Sequence, residues 1–341
     1  MHDVAISYGA DRGNIVLLTR SKRLTPFHLN EVLMKPLLSQ RTVVGVVTAL
    51  FFATTAAFAQ TPVRVASKID TEGSLLGNMI IQVLESNGIK TENKVQLGTT
   101  KILRGAITAG EIDIYPEYTG NGAFFFADEK NPAWKNAKAG YDKVKALDLE
   151  KNRIVWLQPA PANNTWAIAI RKDLAAANKL TSLDDMGKWV ARGGKLKLAA
   201  SAEFVERSDA LPAFQTAYGF RLAQDQIVVL AGGDTAVTIK AAAEQTSGVN
   251  AAMAYGTDGA LAALGLVILE DPKGVQPIYA PTPIVRADVL ARHPGIQSAL
   301  APVFQSLDGP TLQALNAKIA LEGQDAKQVA ATYLKAKGFI K

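Results

Sequence analysis

The sequence predicts an α/β protein of two lobes with a ligand cleft between them. Short apolar runs alternate with helical patterns from Pro62 onward, and the first of them follow the order β-α-β-α-β. The alternation resumes after a polar helix at about 131–151, so the chain holds enough strands for two sheets. A break rich in proline and asparagine, PAPANNT at 159–165, separates two later strands and indicates a crossing between lobes.

The first lobe opens with three strands and two helices. Apolar residues at helical spacing between Leu75 and Leu84 predict the first helix, and Gly88 supplies its stop. Thr99 is placed to cap the second helix, which Gly110 ends. The strands are VRVAS (63–67), KVQLG (94–98) and DIYPEY (113–118). This order predicts a mostly parallel sheet covered by helices.

The remaining elements continue the alternation. The further strands are RIVWL (153–157), WAIAI (166–170), KLKLAA (195–200), QIVVLA (226–231), AAMAY (251–255), LVILE (266–270) and TPIVR (282–286). Helices are predicted at 172–179, 183–192, 208–218, 234–246, 295–307, 310–321 and 325–337. A second crossing near Tyr255 to Asp258 returns the chain to the first lobe, which takes 60–163 and 256–341, while the second lobe takes 164–255. Ligands of open α/β sheets bind beyond the carboxyl ends of strands, so we expect the site there.

The composition narrows the chemistry. The chain has 341 residues, 48% of them hydrophobic and 20% charged, which suits two globular lobes and is too apolar for a disordered chain. It has no cysteine, and this excludes disulfides, thiol catalysis and cysteine-ligated metals. The net charge of +6 alone would suggest a polyanionic partner.

The amino-terminal segment accounts for half of that charge. From Met34, basic residues, an uncharged apolar stretch and the triplet Ala57-Phe58-Ala59 follow in the order of a secretory signal peptide at 34–59. The apolar stretch is shorter than the roughly 20 residues that a membrane-spanning helix needs. Cleavage of the signal peptide is therefore favoured over its retention as a membrane anchor. Residues 1–33 reflect either a wrongly chosen start codon or an unstructured extension. Residues 60–341 hold 31 basic and 28 acidic residues, and their net charge of +3 predicts no nucleic-acid partner.

Catalytic and cofactor motifs are missing from the sequence. It contains no phosphate-binding P-loop and no dinucleotide fingerprint, and AGGDTA (231–236) is better explained as a helix start capped by Asp234 or Thr235. Ser201 matches no nucleophile elbow, and His293 is expected at an exposed helix boundary. We therefore expect no catalysis, no metal and no cofactor.

Aromatic and hydrogen-bonding residues gather instead where strands end. They are Tyr118, Thr119 and Asn121 after the third strand, Asn164 and Trp166 at the first crossing, and Tyr255 and Thr257 at the second. Aromatic rings that converge on one cleft attract a cation too poor in donors to hydrogen-bond, such as a quaternary ammonium group. The alternative is ordinary packing, which we expect for Tyr115.

Several long stretches resemble one family. The chain is similar to the substrate-binding proteins of ABC importers for glycine betaine, choline and related osmoprotectants in SKIDTEGSLLGNMIIQVLESNGI, VQLGTTKILRGAITAGEIDIYPEYTGN, APANNTWAIAIR, GGDTAVTIKAAA and MAYGTDGALAALGL. The resemblance covers residues 62–341. It implies a type II periplasmic-binding-protein fold, in which two crossings join two α/β lobes around the ligand, and a membrane permease with its ATPase as partners.

The resemblance also implies roles for single residues. In such proteins an aromatic cage holds the quaternary ammonium, and basic or hydroxyl side chains hold a carboxylate. By motif, Tyr118, Trp166 and Tyr255 match the cage, and Lys68 matches the lysine of the family's GSK opening. Arg207 in AEFVER matches an arginine that follows the family's EF segment, although it could instead only pair with a neighbouring glutamate.

Three departures from the family's pattern concern the ligand. Asn121 replaces the second threonine of the family's YTGT, and Trp166 has a larger π-face than the family's tyrosine. No tyrosine for a fourth wall is found around 227–235. Because each face contributes about 0.5–2 kcal/mol, an incomplete cage predicts weak glycine betaine binding or preference for another solute.

We therefore predict a monomeric periplasmic receptor without catalysis, which captures glycine betaine or a related quaternary ammonium solute for a permease. It is not a lipoprotein, because no cysteine is available for a lipid. The alternatives are a binding protein for another polar or zwitterionic solute, a two-lobe hydrolase or transferase, and the ligand-sensing half of a regulator.

Overall fold

The computed structural model describes residues 61–230 and 232–341, and the predictions for residues 1–59 lie outside this range. The described strands are β1 (Val63–Lys68), β2 (Thr91–Gly98), β3 (Ile114–Tyr118), β4 (Ile154–Trp156), β5 (Trp166–Arg171), β6 (Leu198–Ser201), β7 (Ile227–Leu230), β8 (Ala251–Tyr255), β9 (Leu266–Ile268) and β10 (Pro281–Arg286). The helices are α1 (Thr71–Ser86), α2 (Thr100–Thr108), α3 (Asn121–Phe125), α4 (Ala137–Asn152), α5 (Lys172–Asn178), α6 (Leu183–Ala191), α7 (Ala202–Glu206), α8 (Leu211–Tyr218), α9 (Thr235–Ala243), α10 (Ala287–Arg292), α11 (Gly295–Gln305), α12 (Gly309–Ala320) and α13 (Ala326–Ala336).

The strands form two five-stranded sheets, one in each lobe. Their orders are β2-β1-β3-β10-β4 in the first lobe and β7-β6-β8-β5-β9 in the second. β1 is parallel to β2 and β3, whereas β10 is antiparallel to β3 and β4. In the second sheet β6 is parallel to β7 and β8, and β5 is antiparallel to β8 and β9. β5 and β10 are the strands that the chain enters after changing lobes, so the antiparallel strand of each sheet marks a crossing.

The return crossing lies later than the sequence suggested. After β8, Gly256 and Thr257 contact the first lobe, where the Gln313 side chain donates to the Gly256 carbonyl at 3.0 Å and the Asn316 side chain donates to the Thr257 carbonyl at 3.1 Å. The chain then goes back to the second sheet, where Val267 of β9 pairs with Ile170 of β5. The second lobe therefore extends past β9, and the predicted boundary at Gly256 is wrong. The glycine-containing turn after β8 marks the end of a strand but not the end of the second lobe.

Apolar side chains cover both faces of each sheet. Successive residues of a strand point to opposite faces, so Ile114 packs with α1 and α11 to α13, whereas Tyr115 packs with α2 and α4. Two further clusters cover the second sheet in the same way. Both sheets are thus held rigidly, and the residues at their strand ends have fixed positions.

Several helices begin where strands end. Asp70 caps α1 by accepting from the Gly73 amide at 2.7 Å, and Asp234 caps α9 by accepting from the Ala236 amide at 3.1 Å. The capping role predicted for Asp234 is therefore confirmed. Thr99 occupies the capping position of α2, but its side chain makes no capping hydrogen bond.

The sequence does not predict the short helices α3, α7 and α10. Each has five or six residues, too few to show an apolar period. His293, expected to be exposed, follows α10 and is only 7% exposed. None of the helices in the described ranges is long and apolar enough to cross a membrane.

Candidate functional site

A cleft lies between the lobes at the carboxyl ends of strands from both sheets. It receives residues from β1 and the cap of α1, from β2 and the start of α2, from β3 and α3, from both crossing segments, and from β5, α7 and β8. The lining residues are Lys68, Ile69, Asp70, Gly98, Thr99, Thr100, Tyr118, Asn121, Asn164, Trp166, Glu203, Gly233, Tyr255 and Tyr279. They surround about 480 Å³ that no protein atom fills, part of it open to solvent.

Most of the residues proposed from the sequence meet in this cleft. Those that line it are Lys68, Tyr118, Asn121, Asn164, Trp166 and Tyr255. Thr119, Arg207 and Thr257 are not among the lining residues. The first crossing and the ends of three strands are thus brought together, as we expected from the topology.

The three other proposed residues lie near the lining, and two of them bond to it. Thr257 accepts from the Asn164 side chain at 2.8 Å, and Arg207 donates to the Asn121 side chain at 2.9 Å. Thr119 donates to the carbonyl of Ile278 at 2.9 Å. These contacts give the three residues a positioning role in this geometry.

Four aromatic rings line the cleft, and the fourth belongs to Tyr279. Its centroid is 5.9 Å from that of Trp166, with the rings inclined at 57°. Trp166 and Tyr255 are direct neighbours across β5 and β8. The region around 227–235 contributes no ring to the lining, and Tyr279 is a further ring that was not predicted from the sequence. Tyr279 lies just before β10, outside 227–235, the region considered for a fourth wall.

The crossing segments fix Tyr279 in place. Its amide donates to the Asn163 side chain at 2.8 Å, and its carbonyl accepts from the Asn164 amide at 2.9 Å. Gly120 lies against the ring, where a Cβ atom would come within 2.8 Å of Cδ1. A larger residue at position 120 would therefore push Tyr279 out of place.

A buried ion pair stands beside the first of these rings. Nζ of Lys68 lies 2.7 Å from Oε1 of Glu117 and 4.6 Å from the ring centroid of Tyr118. Glu117 is fully buried and also accepts from the Tyr118 amide, the Asn121 side chain and the Tyr115 hydroxyl. Tyr115 packs in the core of the first lobe, as predicted. Sequence reasoning missed Glu117, although it stands in the motif that supplied Tyr118.

A second cation stands beside Trp166. The guanidinium carbon of Arg207 lies 4.6 Å from the Trp166 ring and 4.1 Å from the Phe124 ring. Asp209 and Glu203 pair with the same guanidinium at 2.7 and 3.0 Å. Arg207 therefore pairs with a neighbouring glutamate, and it also contacts Asn121 and Trp166 of the lining.

Burial controls the ionisation of the cleft. It raises the pKa of Tyr118 and of Tyr255 well above the usual value, so both phenols stay neutral. Burial also raises the pKa of Asp70, which lines the cleft, to about 6, and that of Asp258 to about 7. Asp258 accepts from the Tyr255 amide at 2.7 Å and so supports the end of β8.

Two polar atoms of the rings are buried without a partner. The indole Nε1 of Trp166 and the hydroxyl of Tyr279 find no hydrogen-bond partner among residues 61–230 and 232–341. Such groups are costly when they stay unpaired. Both belong to residues that line the cleft.

The lining residues suit binding. None of them is histidine, cysteine or serine, so the lining itself contains no histidine-activated nucleophile. Its aromatic faces, neutral phenols and few charged groups suit a small ligand with an apolar cation.

The fold and the cleft define the class, which is a two-lobe solute-binding protein with the type II periplasmic-binding-protein fold. Within that class the chain belongs to the family described as "Substrate binding domain of ABC-type glycine betaine transport system", whose model matches residues 61–336. The predictions of fold and family are thereby confirmed.

Individual relatives agree with this assignment. The chain is 69% identical over 283 residues to the glycine betaine-binding protein YehZ of Escherichia coli (strain K12), an alignment that covers 83% of this chain and 93% of that protein. It is 32% identical over 292 residues to the glycine-betaine-binding protein of Pseudomonas aeruginosa, with 83% and 90% covered. The solved structure of apo YehZ from Escherichia coli superimposes with a TM-score of 0.61 at 70% identity, covering 82% of this chain and 99% of that one.

Proposed function

We propose that this protein captures glycine betaine or a related quaternary ammonium solute and delivers it to an ABC permease. The observation that carries the proposal is the meeting of four aromatic rings in one cleft between two lobes. A quaternary ammonium group has no N–H donor, so aromatic faces suit it better than hydrogen-bond acceptors do. Membership of the family supports the transport role.

The lining suggests how the ligand lies. Its methylated nitrogen would contact the rings of Tyr118, Trp166, Tyr255 and Tyr279. A ligand carboxylate would lie toward Lys68 and the Asn121 amide, which line the same cleft. Asn164, with the residues near the lining (Thr119, Arg207 and Thr257), would hold this arrangement in place.

Weak glycine betaine binding stays a proposal, now for a different reason. Tyr279 would supply a fourth ring, so an incomplete cage alone would not account for weak binding. Lys68 and Arg207, however, each place a cation 4.6 Å from a cage ring. A cationic ligand must therefore share these rings with the protein's own cations, and a sub-micromolar dissociation constant would contradict weak binding.

The proposal includes the cellular setting. The order of residues 34–59 supports export by a cleavable signal peptide, and the absence of cysteine from the sequence supports a periplasmic protein without a lipid anchor. The receptor would act as a monomer. Its first lobe, which begins with residues 60–163, and its second lobe would close on the ligand. An ATPase on the cytoplasmic side would supply the energy for import.

Tryptophan fluorescence tests this function. Glycine betaine, choline, carnitine, ectoine and proline are titrated into the protein, since Trp166 lines the cleft and reports occupancy. We expect a saturable change with at least one quaternary ammonium ligand, and its loss in Trp166→Phe. Trp189→Phe is the control. Trp189 lies outside the lining, so this variant should show the same fluorescence change on titration as the wild type. Silence toward every quaternary ammonium ligand would remove the proposal.

A two-lobe hydrolase is the competing function, and product analysis separates the two. The protein is incubated with choline esters and betaines while binding heat and product are followed together. The receptor predicts heat without product. Turnover of a choline ester would favour the hydrolase.

A further inference from the structure

The geometry points to Lys68 as a competitor built into the cage, because its ammonium covers a face of Tyr118 and so lowers the affinity of the cleft for a quaternary ammonium ion. This inference rests on the proposed function. It is additional to the role implied by the family motif, in which the lysine holds a ligand carboxylate. By this inference, Lys68 also contributes to the selectivity of the cleft among ligands.

The position of Lys68 is that of a ligand cation. Its Nζ lies 4.6 Å from the Tyr118 centroid, within the range of about 6 Å over which a cation is attracted to a ring. Lys68 and Tyr118 both line the cleft and are only 8% and 5% exposed. A cation–π contact strengthens when water is excluded from it. The ammonium therefore interacts strongly with the ring that an incoming ligand would use.

The surroundings hold both partners. The Lys68 ammonium donates to Glu117 at 2.7 Å, and Glu117 is fixed by three further donors. The Tyr118 hydroxyl donates to Glu72 at 3.0 Å, which sets the position of the ring. Because the ammonium is tethered beside the ring, its effective concentration there exceeds that of a free solute at ordinary levels.

Lys68 is freer to move away than the other cation of the cage. Among the described residues its ammonium has one hydrogen-bond acceptor, whereas the Arg207 guanidinium bonds to Asp209, Glu203 and Asn121. A quaternary ammonium ion cannot replace the proton donated to Glu117, but it can replace the charge over Tyr118. The ligand and Lys68 thus compete for the ring and not for the carboxylate.

Calorimetric titration of tetramethylammonium into three variants tests the inference. Tetramethylammonium is chosen because it has no carboxylate for a lysine to hold. In Lys68→Met/Glu117→Gln both charges are gone and the net charge is unchanged, so a gain in affinity reports uncovering of the ring. We expect this variant and Lys68→Met to bind tetramethylammonium about 2- to 30-fold more tightly than the wild type. Lys273→Met is the matched control, since Lys273 lies 4.7 Å over Tyr218 outside the cleft lining, and it should leave the affinity unchanged.

The outcomes separate the inference from the function on which it rests. If Lys68→Met gains affinity but the double variant does not, removal of a like charge explains the effect and the inference is wrong. Equal affinity in all variants also overturns it while leaving the receptor function intact. If neither the wild type nor any variant binds tetramethylammonium or glycine betaine, both the inference and the proposed function are wrong. Circular dichroism verifies folding, and the double variant covers the case in which an unpaired Glu117 unfolds Lys68→Met.

Discussion

The guanidinium of Arg207 donates to the side-chain oxygen of Asn121 at 2.9 Å, and this bond crosses the cleft from the second lobe to the first. The same Asn121 amide donates to Glu117 at 2.7 Å, so one side chain links the two charged centres of the cage. Thr71 and Asp234 make a second bond between the lobes at 3.1 Å. Polar contacts therefore hold the lobes together in addition to the two crossings.

Asn121→Ala is expected to open the cleft. It removes the bond to Arg207, and a hydrogen bond to a charged group contributes about 1.5–3 kcal/mol. The population of open molecules should rise, which small-angle X-ray scattering detects as a larger radius of gyration. Asn178→Ala, an exposed change in the second lobe, is the control. Identical scattering from Asn121→Ala and the wild type would show that this bond does not hold the lobes.

Glu117→Gln is expected to destabilise the protein strongly. The carboxylate is fully buried and bonded to four donors, and loss of one partner from a buried ion pair costs about 3–5 kcal/mol. Urea denaturation measures the loss. Asp142→Asn, which breaks an exposed pair with Lys138, should have little effect on the free energy of unfolding. A similar small cost for Glu117→Gln would contradict the central role of this carboxylate.

The same chemical change should have opposite effects at two rings of the cage. Tyr118→Phe removes the hydroxyl that donates to Glu72 and should lower the free energy of unfolding by about 1–3 kcal/mol. Tyr279→Phe removes a buried hydroxyl that has no partner in the described part of the chain, so it should be neutral or stabilising. Urea denaturation compares the two. Equal destabilisation would show that the Tyr279 hydroxyl has a partner in solution.

Stability should depend on pH through Asp258. Burial raises its pKa to about 7 in the folded state, above the ordinary value near 3.8. The folded protein then binds the proton more tightly than the unfolded chain. This contribution is fully present below about pH 4 and is lost as the pH rises through about 7, with a slope of at most about 1.4 kcal/mol per pH unit.

Asp258→Asn tests the pH dependence. The free energy of unfolding of this variant should fall less between pH 4 and 7 than that of the wild type, when both are measured by urea denaturation. Asp225→Asn, an exposed change, should keep the slope of the wild type. An unchanged slope in Asp258→Asn would mean that this carboxyl is ionised throughout the range.

The strands could be predicted well because their residues are buried and continuous. Runs such as VRVAS and WAIAI are mostly apolar, as strands covered on both faces are, and they fall on β1 and β5. The residues just after such strands were good candidates for the cleft for the same reason. Lys68, Tyr118 and Tyr255 all line it.

Other features depend on contacts that no local pattern contains. Tyr279 stands in the segment between β9 and β10, where no local pattern shows that its ring reaches the cleft, and nothing in the three-residue strand β9 shows which sheet it joins. The contact between Asn121 and Arg207 joins residues 86 positions apart and exists only when the lobes meet. The partners of Glu117 likewise come from β1, β3 and α3, so its role became visible only in the folded chain.

Calorimetric titration of glycine betaine into the wild type and Tyr255→Leu tests the central claim most directly. Leucine keeps an apolar side chain but removes a π-face, which contributes about 0.5–2 kcal/mol to a bound cation. We expect one saturable site in the wild type and about 2- to 30-fold weaker binding in the variant. No saturable heat in the wild type, or equal affinity in both proteins, would contradict an aromatic cage for a quaternary ammonium ligand.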